Sequence, residues 1–120
     1  MSTTVNTSFS TEDKLNIKKT MLLKIEMYEP KTSCVLFLFG MEYNLHELDF
    51  NALAQLLVFI CSIKATAKSL GFEDVVLYTG YTLSEWEDDI INCMDRLTIP
   101  HIEKKIKELE EELEKEGVNN

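Results

Sequence analysis

No two of the three cysteines fall within four residues of each other. Cys34, Cys61 and Cys93 are spread over the chain. A structural zinc or iron–sulfur site needs several thiolates converging on one point, so this spacing excludes a cysteine-ligated centre built by the chain alone. It suits a reducing compartment, with each thiol expected to be a small buried hydrophobe. Histidine is equally sparse: His46 and His101 are too far apart for the i, i+4 pair of a helical zinc motif. His46-Glu47-Leu48-Asp49 is therefore read as a polar loop. No stretch of basic residues followed by an apolar core opens the sequence. The longest apolar runs, Cys34–Phe39 and Leu56–Ile60, are too short by themselves to span a bilayer. A cytoplasmic protein, neither secreted nor transmembrane, is the expectation.

Charge of one sign is also short. Twelve basic residues face twenty-one acidic ones, a formal charge of −9. Such a surface repels phosphate backbones and anionic lipid, which argues against direct nucleic-acid or membrane binding and permits a basic protein partner. What is plentiful is apolar content, 45% over 120 residues, enough for one core. The Ser/Thr/Asn-rich opening up to residue 12 offers little to bury and is read as a flexible arm. Residues 13–120 are taken as a single domain.

Along that domain, Leu23, Ile25 and Met27 alternate with Lys24, Glu26 and Tyr28, the pattern of a strand with one wet face. A turn at Pro30-Lys31-Thr32 leads into Cys34–Phe39, read as a central strand covered on both faces and forming a hairpin with the first. Asp49 or Asn51 is placed to cap a long helix that Gly71 ends, with Leu57 and Ile60 in the core. Val75–Tyr78 is a second core strand, reached by a crossover helix and so parallel to the first. Thr82-Leu83-Ser84-Glu85 is a capping box that opens a helix to Asp95, and Ser84-Glu85-Trp86-Glu87 offers the same pattern two residues later. Arg96–Ile99 is a candidate edge strand. From Pro100, Ile102, Ile106, Leu109 and Leu113 form a narrow stripe among Glu and Lys, an amphipathic helix fit for docking on one surface or for a helix pair. The Glu-rich run Glu108–Glu116 is its solvated face, and Gly117 is its expected end. The fold class expected is α/β, with a small, mostly parallel sheet of three or four strands, packed helices, an N-terminal strand or hairpin and a C-terminal amphipathic helix.

The run Val75–Tyr81, followed by the capping box, resembles the radical S-adenosylmethionine activating enzymes of anaerobic ribonucleotide reductase and their phage-type relatives. In that family a strand ending in Tyr/Trp-Thr-Gly-Tyr precedes a helix. The likeness is to the C-terminal half of those enzymes and covers roughly residues 20–105. Gly40 and Glu42 match the ends of the family's Gly-Gly-Asp/Glu element, and Met94–Ile102 is similar to its later Asp-strand-Gly-Pro-Tyr segment. If the family function is retained, the resemblance implies cofactor contacts at Gly40, Glu42, Thr79 and Gly80. The defining C-x-x-x-C-x-x-C loop is absent, and Met41 stands where the family has its second glycine. The resemblance therefore does not imply the activity, and neither a catalytic residue nor a cofactor is assigned.

Glu85, Glu87, Asp88 and Asp89 surround Trp86 at a helix start. Carboxylates there complement the unpaired N–H groups. They are also the candidate partner-binding residues, four acids around an aromatic anchor for an Arg/Lys-rich groove. The function expected is a non-catalytic interaction protein binding a basic, nucleic-acid-handling partner. Its concrete form is a phage-type inhibitor of a host defence nuclease, anti-CRISPR-like in kind. The alternative is an accessory or degenerate subunit of a radical S-adenosylmethionine activase system. Because the thiols are dispersed, the purified protein is expected to stay colourless after anaerobic reconstitution with iron and sulfide. A stoichiometric visible band of a [4Fe–4S] cluster would refute this.

Overall fold

The computed structural model describes residues 9–77 and 80–118. Six elements follow in order: α1 (Thr11–Met27), β1 (Val35–Leu38), β2 (Met41–Asn44), α2 (Phe50–Ser69), α3 (Leu83–Arg96) and α4 (Ile99–Val118). The chain divides into two compact units, one holding α1 and α4 and the other Tyr28–Leu97. The fold is mainly helical, with one two-stranded antiparallel sheet among the described residues. The expected α/β fold with three or four mostly parallel strands is therefore incorrect.

The first correction lies at residues 21–28, which continue a helix rather than form a strand. Ser10 starts α1, its hydroxyl accepting the backbone N–H of Asp13 at 3.1 Å. The seventeen residues of α1 contain neither glycine nor proline and are rich in Lys, Leu, Ile and Met. Burial follows the helical period: Leu15 and Ile25 are buried and Leu22 half-buried, while Leu23 and Met27 of the apparent alternation lie exposed. These residues repeat at steps of seven and three, matching a seam on α4 of Ile99, Ile102, Ile106, Leu109 and Leu113. The two helices run antiparallel, since Lys19 pairs with Glu110 at 3.7 Å and the Thr11 hydroxyl donates to Glu116 at 2.7 Å. The C-terminal stripe thus serves a helix pair. α4 begins at Ile99, with Pro100 in a first turn that has no use for its missing N–H. The supposed edge strand at 96–99 is instead a turn and a helix start, and the helix runs past Gly117.

In the second unit the hairpin closes one strand later than expected. Leu38 pairs with Met41 across a two-residue turn, Phe39-Gly40, and Val35 pairs with Asn44. The run Cys34–Phe39 is covered on one face only. Cys34, Leu36 and Leu38 are buried, whereas Phe37 and Phe39 point outward. Residues 75–77 form no named strand. Val76 makes a single antiparallel bridge to Thr82, and Gly80, at φ +90°, helps turn the chain back toward α3. Tyr78 and Thr79 lie outside the described residues.

The two long helical readings of this unit hold. Asp49 accepts the N–H of Ala52 at 2.8 Å to cap α2, and Gly71, at φ +89°, lets the Phe72 N–H reach back to the Ala67 carbonyl at 3.0 Å. Thr82 and Glu85 make the reciprocal capping box of α3. α2 and α3 pack together and seat the hairpin on a core of Leu36, Leu45, Leu53, Ile60, Trp86 and Ile90. Ile60 is fully buried, but Leu57 is half-buried, at the edge of that core. Accordingly, Ile60→Ala should cost about 2–5 kcal/mol in thermal or denaturant unfolding, and Leu57→Ala clearly less. Equal losses would contradict this placement of α2.

Candidate functional site

Two regions bear on function, both in the second unit: the acidic start of α3, and the surface between the hairpin tip and α2. At α3, each acid has an intrachain partner. The Glu85 carboxylate accepts the Thr82 backbone N–H at 2.9 Å, and the Thr82 hydroxyl accepts the Glu85 N–H at 3.1 Å. Glu87 lies 3.6 Å from the Lys64 ammonium and accepts the Cys61 thiol at 3.3 Å. Asp88 pairs with the Lys31 ammonium. Trp86 is fully buried, edge-on to Tyr81 with centroids 5.6 Å apart, and its Nε1–H finds no acceptor among the described residues.

Asp89 is the most heavily used of the five. It is 1% exposed, and its two oxygens accept from the Tyr28 hydroxyl at 2.6 Å, the Lys31 N–H at 2.9 Å, the Thr32 N–H at 2.8 Å and the Thr32 hydroxyl. Burial pushes its pKa upward, but these donors together outweigh burial and hold it below the ordinary carboxylate value. Tyr28 is shifted the other way, raised by burial first and then by its bond to the neighbouring carboxylate. The segment from Tyr28 to Cys34 is thereby fastened to α3. Of the expected partner-binding residues, Trp86 and Asp89 are thus withdrawn from the surface, Glu85 is tied to its cap, and Glu87 and Asp88 remain half-exposed beside their lysines.

The residues that the resemblance assigned to a cofactor are placed less closely. Gly40 sits in the hairpin turn at φ +75°, and Glu42 is exposed on β2 opposite Phe37. Gly80 lies in the loop before α3, and Thr79 is outside the described residues. A Cβ built on Gly40 or Gly80 would meet no atom of the chain within 4 Å, so within the fold these glycines serve the positive-φ backbone and not close packing. Cys34, Cys61 and Cys93 are on separate elements, and no group of three metal-capable side chains gathers among the described residues. Cys34 and Cys93 are buried as expected, whereas Cys61 is exposed on α2. Partial desolvation raises the Cys34 and Cys61 thiols, and burial pushes Cys93 to about 11.

The other region was not foreseen from the sequence. Phe39 is 81% exposed, although its ring leans edge-on against Phe59 at 5.5 Å. Its φ of +52° puts a bulky side chain in the left-handed region, a conformation costing on the order of 1–3 kcal/mol. Beneath it lies a cavity of about 230 Å³ with Leu38, Tyr43, Leu48, Leu56 and Phe59 in its wall. A second, shallower one of about 410 Å³ continues from Phe59 to Leu70 and Phe72. Val58, 65% exposed, lies on the side of α2 away from the core and lines neither cavity. α2 is long and apolar enough, by length and composition, to cross a membrane. In this fold it sets Leu53, Leu56 and Ile60 into the core and Lys64 against Glu87. A signal for this surface was present in Phe39-Gly40, an aromatic–glycine pair at the end of the apolar run.

No protein family, no curated protein and no solved structure matches this chain.

The Asp89 network gives a sharp expectation for stability. Asp89→Ala strands several buried donors, each costing about 1–3 kcal/mol, so a loss of at least about 3 kcal/mol is expected. Reversing Glu87 and Asp88 to lysine removes two partly exposed ion pairs and costs about 0–1 kcal/mol each. Because the folded-state pKa of Asp89 is depressed, its contribution is present above the unfolded value near 4 and disappears as pH falls through the folded one. For Tyr28 the folded value is raised, so its contribution holds below about pH 10 and is lost as pH rises beyond. Unfolding measured from pH 2 to 11 should show both losses in the wild type. The acid-side loss should be blunted in Asp89→Ala, and an unchanged acid limb would reject the network.

Proposed function

We propose that the chain is a non-catalytic interaction protein that binds a basic, nucleic-acid-handling protein. The observation that carries this reading is the uncovered apolar surface of the second unit, where Phe39, Leu70 and Phe72, each more than 60% exposed, border two cavities that share Phe59. Contiguous apolar surface of this kind on a small protein marks a docking face. The charge of −9 selects the partner's sign by steering cationic surfaces toward it and repelling anionic ones. Inhibition of a nucleic-acid enzyme is the form of this function that best suits an acidic protein, because occupying a phosphate-binding groove needs carboxylates and not catalysis.

Docking through this face also explains why the acidic start of α3 is occupied within the chain. Its carboxylates hold the segment after α1 and the C-terminal half of α2 in place, leaving recognition to surfaces elsewhere.

The immobilised protein and a Phe72→Asp variant serve as the test, each incubated with lysate of the native host at low and high salt. The wild type should retain a strongly basic nucleic-acid protein at low salt and release it at high salt. The variant should retain at least about tenfold less while keeping its helical circular dichroism. Retention of acidic proteins, or of the same proteins at both salt concentrations and by both variants, would defeat the proposal.

A further inference from the structure

We propose that the cavity beneath the hairpin tip receives a large apolar side chain carried between lysines or arginines on the protein partner. This assignment rests on the basic partner proposed above and gives its point of entry.

Three observations converge on that cavity. The first is the conformation of Phe39. A two-residue hairpin turn with both central residues at positive φ favours Asn-Gly, and here the first position is phenylalanine at φ +52° with glycine at φ +75° behind it. The turn itself gains nothing from an aromatic side chain, and four-fifths of this one is left in solvent. Aromatic residues held in a defined place at low side-chain entropy are the usual anchors of protein interfaces.

The second is the shape of the space. About 230 Å³ lies between the hairpin and the first half of α2, walled chiefly by Leu38, Tyr43, Leu56 and Phe59. That is room for one leucine, methionine or phenylalanine side chain, and too little for the packed face of a whole helix.

The third is the charge around it. Between Lys31 and Lys64 the chain carries no lysine or arginine, whereas Glu47 and Asp49 are exposed there, one on each side of the wall residue Leu48. Glu42 pairs with Phe37 on the outer face of the hairpin, away from the face that Tyr43 turns to the cavity. An apolar floor with acids of one sign at its edge complements an apolar residue flanked by cations. It repels the same residue flanked by carboxylates.

The probe is the hexapeptide Lys-Lys-Leu-Phe-Lys-Lys, titrated into the isotope-labelled full chain and followed by amide NMR, with Glu-Glu-Leu-Phe-Glu-Glu as control. Shifts should concentrate in Leu38–Tyr43 and Leu48–Phe59 and weaken with salt, and the acidic peptide should bind at least about tenfold more weakly. Glu47→Gln should lower affinity for the basic peptide, whereas Glu42→Gln, on the outer face of the hairpin, should leave it unchanged. Asp49 is spared because it caps α2.

The decisive variant is Phe39→Asn, which supplies the residue the turn prefers. It should leave the melting temperature unchanged or higher while reducing affinity at least about tenfold. Unchanged affinity, or a fall in melting temperature, would overturn the proposal by making Phe39 a bystander or a structural residue. A basic peptide that shifts residues elsewhere removes the cavity but leaves the basic-partner reading. Equal binding of the acidic peptide removes that reading itself. A dimer in sedimentation that Phe39→Asn dissolves would assign the cavity to a second copy of this chain and refute the proposal.

Discussion

The second unit depends on one buried carboxylate. Asp89 gathers four donors from a segment with no regular structure, Tyr28 to Thr32, and does so from the middle of α3. An anion this enclosed is costly unless it is saturated with hydrogen bonds. Saturation is what makes the site specific: the loop must adopt the one path that brings a phenol, a hydroxyl and two backbone N–H groups to the same two oxygens. Thr32 then passes the constraint on, because its own hydroxyl accepts the N–H of Cys34 at the approach to β1. The position of the hairpin on α2 and α3 follows, and with it the space beneath Phe39.

Much of the helical framework was legible in the sequence because it is specified locally. Asp49 and Gly71 mark the ends of α2, Thr82 and Glu85 mark the start of α3, and the stripe of α4 steps by three and four. The sheet was not legible in the same way. Leu23, Ile25 and Met27 fit a period of two over a few residues, but Leu15, Leu22 and Ile25 fit the seven-residue repeat that a partner helix rewards. That partner is α4, far away in the chain, so the deciding term was absent from any local window. The run Cys34–Phe39 misled for a related reason: an all-apolar strand reads as covered on both sides, and nothing in its composition shows that Phe37 and Phe39 face outward.

The acidic stretch from Glu85 to Asp89 shows how one composition can serve different ends. As a string it reads as a charged patch around an aromatic. On the helix, each member is turned by about 100° from the one before it. Trp86 and Asp89 fall on the buried side, and Glu87 and Asp88 fall toward Lys64 and Lys31. Helical geometry, more than charge, decides which of the five meets solvent. The surface around Phe39 was hidden because it is assembled from a turn, a strand and the first half of a helix.

The pairing of α1 with α4 also sets an order in time. About 70 residues separate the end of the first helix from the start of the second, and a ribosome adding roughly 5–20 residues per second needs several seconds to cross them. During that interval α1 carries Leu15, Leu22 and Ile25 with no mate, while the continuous segment from Tyr28 to Leu97 can already close on itself. α1 thus keeps an apolar seam without its mate until Ile99–Leu113 of α4 has been made.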